Sequence, residues 1–348
     1  MVEYLPWSKK VYQESLNQYR KGFFSSLDIE LGGDCNFRCL YCDSPKYSKK
    51  CQVSVPVIKD LLSTGNISWV YICGLGEPTF CDNYKKLIEL LECCSQYGVR
   101  CSIFSNLSNL TSKLKEYIYD GILHVQFKYD TKNADLIKTL YGTSSPKYQL
   151  YNIRAIKRLV KSDGRTTNLA ASIVPTRLNI HNILPIVEEC LEANIFPLLG
   201  ELEYSGRGQE NYNRLCLHPE EVSQLKKDVD KLCREIYEIP VCPSVISGIH
   251  IDYSGHVTVD KTTGLSCHWF WLDKPQTNSL IHCGTETSLD TITKAILDYR
   301  NNCIENIVTF LNTKRHIGMA FGGCGGNTTD LFKQYLENHR RDCNDLPR

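Results

Sequence analysis

Cys35, Cys39 and Cys42 stand at C-x3-C-x2-C spacing in the segment Gly32-Gly-Asp-Cys-Asn-Phe-Arg-Cys-Leu-Tyr-Cys-Asp43. Three thiolates thus share one short loop, directly after the run Leu27 to Leu31, apolar at alternate positions, that reads as a strand. A tetrahedral zinc site or an ordinary four-thiolate cluster needs a fourth ligand nearby. The loop offers three, so a cubane bound by them would keep one iron open to an outside molecule. A zinc knuckle, or coincidence in a chain with 18 cysteines, are the competing readings at this point. A second segment, Cys73-Gly-Leu-Gly-Glu-Pro78, follows the next strand-like run. Its glycines let the backbone approach a ligand closely, and its carboxylate suits an ammonium partner. Alone it reads as an ordinary strand-end turn; its place one βα unit after the cysteine loop gives it weight.

The elements that must position these groups alternate regularly. Strand-like runs fall at 26–31, 68–73, 100–105, 122–128, 168–174 and 196–201. Helical patterns fall at 54–63, 83–97, 112–119, 148–161, 181–193 and 218–235, after a short amphipathic lead-in over 6–22. Such alternation predicts βα units and a parallel sheet or barrel, with working residues at the C-terminal ends of the strands. The stretch 129–147 is polar and predicts a long loop of the kind that forms substrate lids. The pattern changes near Ile239-Pro240, after which Ile249 to Val259 reads as a hairpin with Ser-Gly at its turn. Helices are expected at about 288–312 and 329–341. The expected division is a lead-in over 1–25, a core over 26–240 and a cysteine-bearing module over 241–348.

Composition narrows the class. Forty basic and 39 acidic side chains leave a formal charge of +1, so no basic stripe points to nucleic acid or a membrane surface. No apolar run approaches the roughly 20 residues of a membrane helix. The N-terminus carries no basic-then-apolar leader. The cysteines therefore point to a reducing cytoplasm and metal–sulfur chemistry rather than to a secreted disulfide scaffold. Several are expected to pack as small hydrophobes, the pair Cys93–Cys94 among them.

With the cysteine triplet and the Gly74–Pro78 turn together, the chain resembles the radical S-adenosylmethionine (SAM) enzymes. The resemblance implies a partial (β/α)6 barrel and a [4Fe–4S] cluster on Cys35, Cys39 and Cys42 whose open iron is chelated by SAM. It implies that Tyr41 packs on adenine, and that Gly74, Gly76, Glu77 and Pro78 hold the SAM ammonium. Ser105 and Asn106 end the third strand, where that family places polar groups near SAM. Lys128 and Asp130 end the fourth, Ser172 could bind ribose, and Arg207 could fork onto the SAM carboxylate. In that family an electron from the reduced cluster cleaves SAM to methionine and a 5′-deoxyadenosyl radical, which abstracts hydrogen from substrate. An external donor such as flavodoxin or ferredoxin is implied. No Ser-His-Asp or Cys-His nucleophile stands out.

Cys242 followed by a hairpin resembles the start of the SPASM and twitch extensions, although Asp260 stands where the usual pattern has a further cysteine. A second [4Fe–4S] cluster is expected on Cys242, Cys267, Cys283 and Cys324, with Asp260 or Cys303 as replacements for one member. A degenerate module without a cluster and a zinc site are the competing readings. Cys190 and Cys216 are spare thiols that could return hydrogen to a substrate radical. Only some 25 residues precede the first strand, against about 80 in peptide-recognition domains of peptide-modifying relatives. That favours a small polar metabolite undergoing oxidation, dehydration or epimerisation. A maturase of a ribosomally made peptide is the alternative enzyme, and a non-catalytic iron–sulfur or zinc protein the alternative of another class.

Overall fold

The computed structural model describes residues 4–21, 23–42, 53–72, 74–163, 168–200, 202, 204, 206–233, 248–252, 255–258 and 279–282. Six strands follow the expected order: β1 (Ser26–Ile29), β2 (Trp69–Ile72), β3 (Arg100–Ser105), β4 (Leu123–Lys128), β5 (Leu169–Ile173) and β6 (Phe196–Leu199). Each pairs in parallel with its sequence neighbour. Between them run α2 (Val55–Ser63), α3 (Cys81–Tyr97), α4 (Ser112–Tyr119), α6 (Pro146–Asp163) and α7 (Ile180–Glu192), with α10 (Pro219–Leu232) after β6. These are the parallel βα units that the alternation predicts, six in the order that the resemblance implies.

Strand parity sorts the side chains. Leu27, Ile29, Val70, Ile72, Val125 and Phe127 face one apolar core shared with the helices, where Leu87, Leu90, Ile156 and Val187 are fully buried. The alternate positions, Asp28, Tyr71, Ser102, His124, Gln126 and Lys128, point to the other face and are largely polar. The sheet thus turns its apolar side chains outward and leaves an interior suited to ligands. The lead-in, a 3-10 turn Leu5–Trp7 and α1 (Lys9–Arg20), closes the interior at the N-terminal ends of the strands. Tyr4 is buried there, with its hydroxyl 2.8 Å from Ser102 Oγ and its ring edge-on to His124. Tyr71 donates to the Pro6 carbonyl at 3.2 Å. The open end is therefore the one that carries the cysteine loop.

Two features depart from the expectations. The stretch 129–147 contains a helix, α5 (Ala134–Tyr141). Asn133 caps it by accepting from the Asp135 and Leu136 amides, Ile137, Leu140 and Tyr141 are buried, and Gly142 ends it in the left-handed conformation. Lys132, Lys157 and Tyr129 converge on Glu189 of α7, and against the cost of burial they hold its carboxyl down at about 2. The segment is anchored rather than a free loop. Second, the sheet extends beyond β1 on the edge opposite β6. The hairpin expected after residue 249 forms β7 (Gly248–Ile251) and β8 (His256–Thr258), with Gly255 at φ 85 in its turn. β7 pairs in parallel with β1, and β9 (Ser279–His282) adds to β8, giving the order β6-β5-β4-β3-β2-β1-β7-β8-β9. The expected helices near 288–312 and 329–341 lie outside the described residues.

The β1–β7 seam carries a buried charge cluster. His250 Nδ1 lies 3.2 Å from Asp28 and Nε2 lies 3.5 Å from Glu30, all three almost fully buried. Burial pushes the imidazole pKa down, but the two carboxylates outweigh it and raise it to about 9. An unfolded histidine releases its proton near pH 6.5, about as free imidazole does. The seam's stabilisation is therefore complete below that value and is lost as pH rises through about 9. His250→Asn should flatten the fall of Tm across this window. Parallel declines in the wild type and the variant would contradict the assignment.

Candidate active site

The loop after β1 is irregular, yet its backbone is engaged on two sides. The amides of Arg38 and Leu40 donate to the carbonyls of Tyr141 and Leu140, both at 2.8 Å, so the end of α5 acts as one rail. The other rail is α8 (Gly206–Glu210) and the turn before α9 (Tyr212–Leu215). There the Arg207 amide donates to the Cys42 carbonyl at 2.9 Å, Arg207 Nε to the Cys39 carbonyl at 2.8 Å, and Asn211 to the Leu40 carbonyl at 3.2 Å. Buried backbone groups must find such partners. Phe37, Cys39 and Tyr41 pack with Leu140, Tyr141 and Leu215 in a small apolar cluster of their own, and Cys35 and Cys42 lie against it.

A second set of contacts ties this loop to the turn after β2. Glu77 donates its amide to the Asp34 carbonyl at 2.8 Å. Asn83 of α3 donates to the carbonyls of Gly32, Asp34 and Glu77 at 3.2–3.3 Å. Gly76 has φ +78, and a Cβ there would lie 2.7 Å from the Asp34 carbonyl oxygen and closer still to that of Gly32. Only glycine fits this approach. Gly74 also has φ in the left-handed range, at 90, and Pro78 is buried.

The predicted cofactor residues at the strand ends meet at Glu77. Its carboxylate accepts from the Ser105 hydroxyl at 2.7 Å, the Thr79 hydroxyl at 2.7 Å and the Asn106 amide at 2.6 Å. Burial pushes its pKa up, and these donors oppose the shift. Tyr41 lies at a second junction. Its hydroxyl donates to Asp130, whose other carboxylate oxygen accepts the Val174 amide at 2.7 Å. Burial likewise raises the Asp130 carboxyl, opposed first by Lys128. Lys128 Nζ sits 3.2 Å from the Tyr41 hydroxyl and 4.5 Å above its ring. Ser172 lies beside Lys128 in the β4–β5 register.

The other predicted positions divide. Cys190 is fully buried in the helix–sheet core, a cluster separate from the one around the cysteine loop, and burial pushes its thiol up to about 12. A donor to a substrate radical must reach the open interior, so the structure does not bring Cys190 to the site. Cys216 is half-buried after α9, its thiol donating to the Leu217 carbonyl at 3.3 Å. Cys94 is a core residue, as expected. Cys73, Cys242, Asp260, Cys267, Cys283, Cys303 and Cys324 lie outside the described residues. Asn83, Asn211, Thr79 and Tyr141 hold the site together although no spacing announced them.

Three cysteine thiols on one short loop are a donor set that a [4Fe–4S] cubane would fit, each on its own iron. One zinc needs its thiolates about 2.3 Å from the same centre. Among the described residues no three His, Cys, Asp or Glu groups are gathered closely enough to hold one metal ion. Burial raises the Cys35 thiol to about 11 and the Cys39 thiol further, so positive charge is needed to hold either as thiolate.

No family model matches the sequence, and no curated protein matches it in a sequence search. Solved structures do match in fold. Streptococcus suis SuiB bound to precursor peptide SuiA gives a TM-score of 0.53 at 16% identity, over 88% of this chain and 71% of that one. Native anSMEcpe with bound AdoMet and Cp18Cys peptide gives 0.55 at 15% identity, over 84% of each chain. A histidine-tagged form of anSMEcpe with bound AdoMet gives 0.57 at 14% identity, over 92% of this chain and 98% of that one. The chain shares their parallel α/β fold.

Substituting Gly76 tests the coupling between turn and loop. Gly76→Ala should cost about 1–3 kcal/mol of stability through backbone overpacking and lower iron incorporation at the cysteine loop. A variant of unchanged Tm and iron content would contradict the contact.

Proposed function

We propose that this chain is a radical SAM enzyme acting on a peptide or protein substrate. The observation that carries the reading is the three-thiolate loop, railed by α5 and α8 at the open end of a barrel closed at its other end. A [4Fe–4S] cluster held there would supply, through its open iron, the electron that cleaves SAM to the 5′-deoxyadenosyl radical. Cys35, Cys39 and Cys42 are the ligands in this reading. Gly74 and Gly76 let the backbone approach SAM, while Glu77, organised by Ser105, Asn106 and Thr79, presents its turn to the ammonium. Tyr41 offers its ring to adenine, Ser172 its hydroxyl to ribose, and Arg207 its outer guanidinium nitrogens to the carboxylate. Cys242, Cys267, Cys283 and Cys324 are proposed to hold an auxiliary cluster, and a flavodoxin or ferredoxin to deliver electrons.

For substrate, a peptide replaces the small polar metabolite that the short lead-in suggested. The match spans 84% of anSMEcpe with its bound peptide, and SuiB with its precursor peptide is matched over 71% of its length, which supports a peptide. SuiB, bound to its precursor peptide, has the same fold. Among the described residues no helix is long and apolar enough to cross a membrane.

Anaerobically reconstituted protein with dithionite should convert SAM to 5′-deoxyadenosine, and the Cys35/Cys39/Cys42 triple alanine variant should not. Cleavage surviving in that variant would sink the enzyme reading. A deuterated cell extract then tests substrate class. Deuterium should reach 5′-deoxyadenosine from the material retained on dialysis and be lost after protease digestion. Transfer from the dialysable fraction, indifferent to protease, would return the substrate to the small metabolites.

A further inference from the structure

Three cations converge on the cysteine loop, and they do so differently. Arg38 donates to the main-chain carbonyls of Cys35 and Phe37 at 2.6 and 2.9 Å, and Arg207 Nε donates to that of Cys39. Both act on backbone and brace the loop. Lys128 instead comes from the end of β4, on the interior face of the sheet, and meets side chains: the ring and hydroxyl of Tyr41 and, beyond that hydroxyl, the buried Asp130 carboxylate, whose negative charge it partly offsets. Its ammonium lies 4.5 Å above the ring of Tyr41, 3.2 Å from that hydroxyl and 5.9 Å from the ring of Tyr141. Tyr41 stands between Cys39 and Cys42 in the chain, and Tyr41, Cys39 and Tyr141 are almost fully buried. In so dry a setting a nearby charge is weakly screened.

We propose that Lys128 raises the reduction potential of the cluster carried by this loop, by placing a fixed positive charge over the Tyr41 ring. The inference rests on the cluster reading given above. The step it tunes is the uptake of one electron from an external low-potential donor. No bond forms or breaks and no proton moves. A cation beside the site favours the more negative, reduced state, and the cation–π contact fixes where that charge sits. Lysine suits the task as a compact point charge. This is a positioning role for charge, distinct from contact with substrate.

The test is a redox titration of full-length reconstituted protein, followed by electron paramagnetic resonance on the signal that responds to added SAM. Lys128→Met and Lys128→Gln should each make reduction about tenfold less favourable, a downward shift of about 59 mV for a one-electron couple. Lys128→Arg, which keeps the charge, should stay near the wild type. The two neutral variants guard against one failing to fold. Neutral variants that load iron normally and titrate with the wild type would overturn the inference and leave the proposed function standing. A wild type that assembles no SAM-responsive cluster would overturn both. A purely structural lysine would change iron loading or Tm without moving the potential.

Discussion

An irregular loop that carries three cysteines at the mouth of a barrel must satisfy its own backbone, and the rest of the site follows from how it does so. The amides of Arg38 and Leu40 are taken by the last carbonyls of α5, carbonyls that a helix end leaves without intrahelical partners. The carbonyls of Cys39, Leu40 and Cys42 are taken by Arg207 and Asn211. A helix C-terminus and a helix N-terminal turn thus lend their spare groups to the same stretch, 35–42. Because these bonds hold the loop's main chain, they fix its path.

The polar interior is built in the same way. Glu77 and Asp130 are buried carboxylates, and each is surrounded by donors from separate elements: β3 and the turn after β2 for Glu77, the cysteine loop and the end of β5 for Asp130. A buried carboxylate costs much free energy unless so partnered. Each therefore acts as a knot that fixes the relative position of strand ends. On the opposite side of β1 the Asp28–His250–Glu30 cluster joins β7 to the barrel in the same manner. Buried carboxylates with donors from several elements, together with the apolar cluster around Phe37, Tyr41 and Tyr141, hold the open end in register.

Much of this was legible in the sequence, and for identifiable reasons. The six strands carry short apolar runs and the helices a clear period, so their order and parallel sense follow from local pattern. Cys35, Cys39 and Cys42 are local in sequence, and so is the Gly74–Pro78 turn. Contacts between distant positions were not legible. Asn83 lies 51 residues from Gly32 and Asp130 lies 89 from Tyr41, and no periodicity announces either pairing. Helix α5 was hidden because its eight residues are flanked by polar ones, although Asn133 and Gly142 mark its ends. The role of β7 as a partner of β1 was hidden because a strand at residue 248 can join any free edge.

The central claim is that the three-cysteine loop leaves one iron open and that SAM fills it. Electron–nuclear double resonance on the reduced protein, with SAM labelled with 17O in its carboxylate and 15N in its amino group, tests this most directly. The account predicts hyperfine coupling of both labels to the cluster, absent in the Cys35/Cys39/Cys42 alanine variant. A reduced cluster in the intact protein that shows no coupling to either label would contradict it.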